Sequence, residues 1–171
     1  MDRDLSPTGT GAPRALVVHA EDAERVPLPS GGGFGLLVDG GSTGGALGAN
    51  RLDLAEGADG GLPHLHTRST ELFHVLTGTV EFLLDGTLTP VAAGGTVVVP
   101  PGLPHAFGAA PGSAARLFVV LTPGLDRFGY FRALGRVQHG LEPFASLLPE
   151  QDRYDVHFLD PEPWRAARNR S

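Results

Sequence analysis

From residue 34 to residue 122 the sequence is a succession of short apolar runs, each stopped by residues that bend a chain. Thr77 and Gly78 follow a run that begins at Glu71, and Asp85 and Gly86 separate 80–84 from 87–92. Gly94 and Gly95 precede 96–99, which halts at Pro100 and Pro101, and another Gly/Pro turn leads into 114–121. Asp-Gly between two such runs is among the strongest short-range hairpin signals. Many short strands at this spacing fold as an antiparallel sandwich or barrel. Residues 46–54 show the underlying alternation, with Asn50, Leu52 and Leu54 on one face and Arg51 and Asp53 on the other, the pattern of a half-buried strand.

Outside this stretch the signals change. Residues 15–18 and 34–38 are short apolar runs and read as strands. The glycine-rich segment 39–45 reads as a loop, and without a strand–loop–helix pattern around it the phosphate signal is weak. Phe128, Phe131, Leu134 and Val137 fall on one stripe, which predicts a helix over 126–137 weakened by Gly129 and Gly135. A second short helix is expected over 141–148, and 154–158 alternates like a strand. The expected organisation is an N-terminal tail over 1–13 and one domain over 14–171. Within it, a β-barrel spans about 34–122 and a helical and strand appendage 123–171, as a cap or a dimer-facing element.

Composition removes several classes of chemistry. There is no cysteine, so disulfides, thiolate metal sites and cysteine nucleophiles are excluded. All 13 basic residues are arginine, which excludes a Schiff-base lysine. A formal charge of −6 gives no basic face for nucleic acid or anionic membrane. No apolar run approaches the length of a membrane span, and the acidic start of the chain lacks the order of a signal peptide, so a cytoplasmic protein is expected.

Any metal must therefore be held by imidazole and carboxylate, and one group of residues has that form. In a strand His64 and His66 point the same way, with Leu65 opposite. A turn over 67–70 can bring Glu71 back to the same point, and His105 follows a proline-rich turn. Parity along the strand groups Glu71 with Phe73 and Val75 and sends His74 to the other face, so His74 is not expected to be a ligand. Three imidazoles and one carboxylate suit Fe, Ni, Co, Mn, Cu or Zn and leave positions open for Lewis-acid chemistry or oxygen binding. A carboxylate can also serve as a base if its pKa is tuned upward. His19, His139 and His157 have no such context, and Phe73, Phe82, Phe107 and Phe118 are expected in the core.

These residues resemble the two motifs of the cupin superfamily. His64, His66, Glu71 and Gly78 match the first; Gly94, Pro100, Gly102 and His105 match the second. Ala58 stands where the first motif usually opens with glycine, and Ala109 where the second usually closes with asparagine. A looser likeness to single-domain bacterial quercetin 2,3-dioxygenase-like cupins lies in Ser42 to Ala46, in Pro123, Gly124, Leu125, Asp126, Arg127 and Phe128, and in the tail from Glu150 to Phe158 with Trp164 beyond. The resemblance implies an all-β double-stranded β-helix (jelly-roll) barrel with a short C-terminal helical appendage, a homodimer, and one divalent transition metal per chain. That metal would be held by His64, His66, Glu71 and His105. It further implies a dioxygenase acting with O2 on a flavonol or related enol or phenol, with Glu71 taking the hydroxyl proton. Two alternatives are open: a non-oxidative isomerase, cyclase or lyase on the same metal, and a small-molecule-binding cupin without catalysis.

Overall fold

A computed structural model describes residues 13–169. Eleven strands among them form two antiparallel sheets. The first sheet has the order β1 (Glu24–Pro27), β2 (Gly33–Val38), β3 (Gly48–Leu54), β10 (Ala115–Thr122), β5 (Thr70–Thr77), β8 (Thr96–Val99). The second has the order β11 (His157–Phe158), β4 (Asp59–Leu65), β9 (His105–Ala109), β6 (Thr79–Leu84), β7 (Thr87–Ala92). From β3 to β10 the chain keeps changing sheets, as a jelly roll does; only β6 and β7 stay together as a hairpin. That hairpin turns on Asp85 and Gly86, both at positive φ, the geometry its sequence demands.

The predicted alternation decides which faces meet. Asn50, Leu52 and Leu54 are buried while Arg51 and Asp53 are half-exposed. Glu71, Phe73 and Val75 point inward, whereas Leu72 and His74 face out. The core between the sheets is built on Phe73, Val75, Val80, Phe82, Leu52 and Leu117, with Phe107 packed on Phe73 at a ring separation of 4.8 Å. Phe118 departs from expectation: in β10 it lies on the parity of Arg116 and Val120 and is only half-buried on the outer face.

Gly78 is the corner between β5 and β6, where the chain passes from one sheet to the other. It sits at φ +73, and a Cβ there would lie 1.9 Å from the Ala114 carbonyl oxygen. Gly78→Ala is therefore expected to cost at least about 2 kcal/mol, from left-handed backbone strain and overlap with fixed backbone. Urea denaturation checks this, and a loss below about 0.5 kcal/mol would mean that the corner relaxes freely.

Several elements differ from the sequence reading. Residues 15–18 are not a strand: they have no strand pairing, and Val17 is 71% exposed. The first strand is instead Glu24–Pro27, too polar to announce itself and held by pairing to β2. The predicted helix over 126–137 is present as α1 (Phe128–Gln138). The expected helix over 141–148 begins later, as a 3₁₀ segment Phe144–Glu150 that runs into α2 (Gln151–Tyr154). The strand expected over 154–158 shrinks to His157–Phe158 for that reason. A final helix, α3 (Glu162–Arg168), was not anticipated; it buries Trp164 against Leu83 and Ala106, with Trp164 Nε1 donating to Asp59 at 2.9 Å. The expected tail over 1–13 lies, up to residue 12, outside the described residues. Among the described residues no helix is long and apolar enough to cross a membrane. The glycine loop over 39–45 holds no phosphate cradle, since the Gly41 amide is taken by Asp126 at 2.6 Å.

Candidate metal centre

The turn between β4 and β5 carries the chain from one sheet to the other, and it is flanked by three of the four predicted ligands. His64 lies in β4, His66 directly follows it, and Glu71 is near the start of β5. His105 opens β9 and is the cross-strand register partner of His64, so the two imidazoles stand side by side at 4.3 Å between centroids. All four side chains are buried, and one ligand atom from each lies within 4.8 Å of the others.

Backbone carbonyls fix the three imidazoles. Nδ1 of His64 faces the Leu62 carbonyl at 2.7 Å, Nδ1 of His105 faces that of Leu103 at 3.0 Å, and Nδ1 of His66 faces that of Asp155. A carbonyl can only accept, so each Nδ1 carries a proton and each Nε2 is the nitrogen left able to coordinate an ion. This is the arrangement by which outer partners orient metal-binding histidines. Glu71 Oε2 lies 3.0 Å from His66 Nε2 and 2.9 Å from His105 Nε2. Ligand atoms at right angles on an ion with bonds of about 2.1 Å stand about 3.0 Å apart. Donor types, tautomers and spacing therefore all fit one divalent ion held by His64, His66, Glu71 and His105.

The charge states of His64 and Glu71 suit the same role. Burial, reinforced by His105 and His66, pushes His64 down to about 3, so its imidazole is neutral near pH 7. For His66 burial acts in that direction too, but the charge and hydrogen bond of Glu71 outweigh it and raise the pKa. Burial would raise Glu71, yet His66 and His105 hold its carboxyl well below the usual carboxylate range. The upward tuning expected of a base is thus not found, because two imidazoles are in contact with Oε2. What results is a carboxylate that is ionised at neutral pH, with Oε1 left as the oxygen able to accept a proton.

The appendage after β10 turns out to build the site. Asp155, fully buried, accepts from the Thr67 amide and hydroxyl at 2.7 Å each, from the Arg68 amide at 3.0 Å and from the Ser69 amide at 3.2 Å. It thereby closes the very turn that brings Glu71 back toward His66. Gly102 donates to the His66 carbonyl at 2.7 Å, which ties the proline-rich turn before His105 to the same place. Beside the cluster lies a pocket of about 60 Å3 whose wall includes Phe34, Asn50, Arg127, Tyr130 and Phe131. Phe34 and Leu134 also border an outer groove of about 320 Å3. Gly60 and Gly61 keep part of this wall open: a Cβ on either would lie within 2.6 Å of the Phe107 ring.

Sequence reasoning missed Asp155, Arg127, Tyr130 and Asn50 as site residues. Asp155 lies 88 residues from Thr67, whose turn it closes, and Arg127 lies 58 residues from Ser69, so no periodicity links them. The remaining histidines are elsewhere. His74 pairs with the Thr96 hydroxyl at 2.8 Å, His139 donates to the Gly135 carbonyl at 2.8 Å, His19 is exposed, and His157 Nε2 stands 3.4 Å from Asp155.

The family model for the cupin domain matches residues 50–121, which contain all four clustered residues. No curated protein matches the chain in sequence. Among solved structures, an RmlC-like cupin from Shewanella frigidimarina is 21% identical, with 68% of this chain and 96% of that one covered and a TM-score of 0.56. The polyketide cyclase RemF from Streptomyces resistomycificus is 23% identical over 64% of this chain and 80% of its own, with a TM-score of 0.53. A Streptomyces nucleoside dehydratase is 17% identical over 67% and 87%, also with a TM-score of 0.53. At these identities the likeness establishes the fold. The domain match, laid over the strands that carry the cluster, and the two-sheet barrel shared with solved cupins identify residues 50–121 as a cupin domain.

Proposed function

We propose that this cupin is a metal-dependent enzyme acting on a small enol or phenol, with His64, His66, Glu71 and His105 as ligands and Glu71 as the group that takes the substrate's hydroxyl proton. The observation that carries this reading is the gathering of three imidazoles, fixed by their Nδ1 bonds, around one buried carboxylate beside a pocket. One divalent transition metal per chain, Fe, Ni, Co, Mn, Cu or Zn, would supply Lewis-acid polarisation of a substrate oxygen and, when redox-active, reaction with O2. The chain's own part is to hold the substrate oxygen near Glu71, to accept its proton on Oε1, and to keep water out with the apolar wall of Phe34, Leu52, Phe107 and Phe131. The oxidative reading, a quercetinase-like dioxygenase on a flavonol, rests on the resemblance of the segments around Ser42, Arg127 and Tyr154. A flavonol would place one ring in the inner pocket and extend past Phe34 and Leu134 into the outer groove.

A non-oxidative reaction is favoured by a different observation. Two solved cupins of the same fold are a cyclase and a dehydratase, and a 60 Å3 inner pocket suits a compact substrate. Elemental analysis of tag-free protein, followed by an oxygen-uptake screen, separates the readings. About one equivalent of a redox-active ion with oxygen consumption on flavonols supports the dioxygenase. Turnover that persists without oxygen supports proton transfer alone. Failure of every ion to bind would remove the metal role of all four residues.

A second copy of the chain is the proposed cover for the outer face of the first sheet. Leu72, Phe118 and Val120 lie there half-buried, with Val98 on the edge strand 58% exposed. Light scattering at micromolar concentration is expected to give a dimer, and Val98→Glu a monomer. A monomeric parent chain would overturn this assignment.

A further inference from the structure

Arg127 is the feature that neither the fold nor the metal cluster accounts for. It stands just before α1, only 4% exposed, in the wall of the inner pocket together with His64, His66 and Glu71. Its Nε donates to the Tyr154 carbonyl at 2.8 Å and its Nη2 to the Ser69 hydroxyl at 3.2 Å. Nη1 is buried and meets no hydrogen-bond acceptor among the described residues. A buried guanidinium nitrogen without an acceptor costs free energy of desolvation that folding alone has no reason to incur.

Asp155 does not explain it. Its carboxylate lies 3.6 Å from Nη2, beyond a hydrogen bond, and is already satisfied by the Thr67, Arg68 and Ser69 donors. Tyr130 lines the same pocket, and burial, then the charge of Glu71, pushes its phenol up, so it stays protonated and able to donate. Most of the remaining wall is apolar, including Leu52, Val119, Leu121 and Val156. Two donors in an apolar wall, beside a metal-type cluster, form a site for an oxyanion.

We infer that Arg127, through Nη1 and with Tyr130 beside it, binds a carboxylate of the substrate, so that the substrate is a small hydroxy- or enol-acid whose other oxygen faces Glu71. This deepens the functional reading above and rests on it for the second oxygen, but the carboxylate subsite itself does not require a metal. Arginine suits the task because its guanidinium stays charged when buried and, with Nε and Nη2 engaged, holds Nη1 in a fixed direction as the remaining donor, which a lysine ammonium cannot do.

The test is calorimetric titration of the full chain, zinc-loaded and chelator-stripped, with glycolate and with glycolamide, two probes alike in size and different in charge. Glycolate is expected to bind at least tenfold more tightly than glycolamide to both forms. Arg127→Lys is expected to weaken glycolate at least tenfold with the melting temperature held within a few degrees. Equal affinity for the two probes in the stripped protein, or unchanged glycolate affinity in Arg127→Lys, overturns the subsite. Because Arg127 also holds Tyr154 and Ser69, the variant can lose its fold, and the parent chain then decides. The Arg127 guanidinium resonances should shift with glycolate and stay still with glycolamide, and no shift with glycolate overturns the proposal. If zinc fails to bind, the metal reading fails while the stripped-protein titration still judges Arg127.

Discussion

Glu71→Gln is expected to lower turnover by about 10²- to 10⁴-fold while leaving the metal content of the purified protein close to that of the parent. The substitution keeps shape and an amide oxygen where Oε2 contacts both His66 and His105, so a ligand atom remains in the cluster. What it removes is the negative charge and the ability to take a proton. Glu71→Ala serves as the contrast, since it deletes the ligand and should lose metal as well. The measurement is turnover at saturating substrate, on the compound that the oxygen-uptake or anaerobic screen identifies, beside metal content for each variant. Full turnover in Glu71→Gln would remove Glu71 as the base and leave it only a ligand. An equal loss of metal and turnover would mean that the charge serves binding alone. The downward pull on Glu71 sharpens the expectation: the group is ionised at neutral pH, so turnover should not need a pH above the ordinary carboxylate range to begin.

Most of this arrangement was legible because it is local. Period-two alternation assigned Asn50, Leu52 and Leu54 to one face, and the structure buries all three. Asp85 and Gly86 declared their hairpin because positive φ at both positions suits few other residues. The same parity grouped Glu71 with Phe73 and excluded His74, and those faces are the observed ones. Illegible parts have two causes. Glu24–Pro27 is a strand by pairing rather than by composition, and 15–18 is apolar without a partner to pair with, so propensity misled in both places. Asp155 and Arg127 act across the fold, and a contact between residues 88 apart, such as that of Asp155 with Thr67, leaves no trace in spacing. Local rules thus picked out the four residues of the cluster but not Asp155, which closes the turn beside them.

Asp155→Ala is where that division can be measured, with an expected loss of about 3 kcal/mol in stability and of about 10- to 100-fold in metal affinity. The stability term follows from what the carboxylate satisfies: three successive amides and the Thr67 hydroxyl, all turned toward a side chain with no exposure. Alanine leaves these donors facing a void, and it must also adopt the left-handed backbone at φ 53 that Asp tolerates better. The affinity term follows from position, since the turn that Asp155 closes sets Glu71 against His66, and its carbonyl receives His66 Nδ1. Asp155→Asn should lie between, because it keeps one acceptor and suits the same backbone. Acid gives an independent reading. Burial would raise Asp155, but the Thr67, Arg68 and Ser69 donors pull it down to about 2 from an ordinary 3.8. A carboxylate depressed on folding contributes its full stability above the unfolded value and loses it as pH falls through the folded one. The parent should therefore lose stability between about pH 4 and pH 2, and Asp155→Ala should lose less over the same window. Urea denaturation of metal-free protein and zinc competition against a chromophoric chelator measure the two terms. If stability falls by under about 1 kcal/mol with zinc affinity unchanged, the turn is set by the strands alone and Asp155 is only its neighbour.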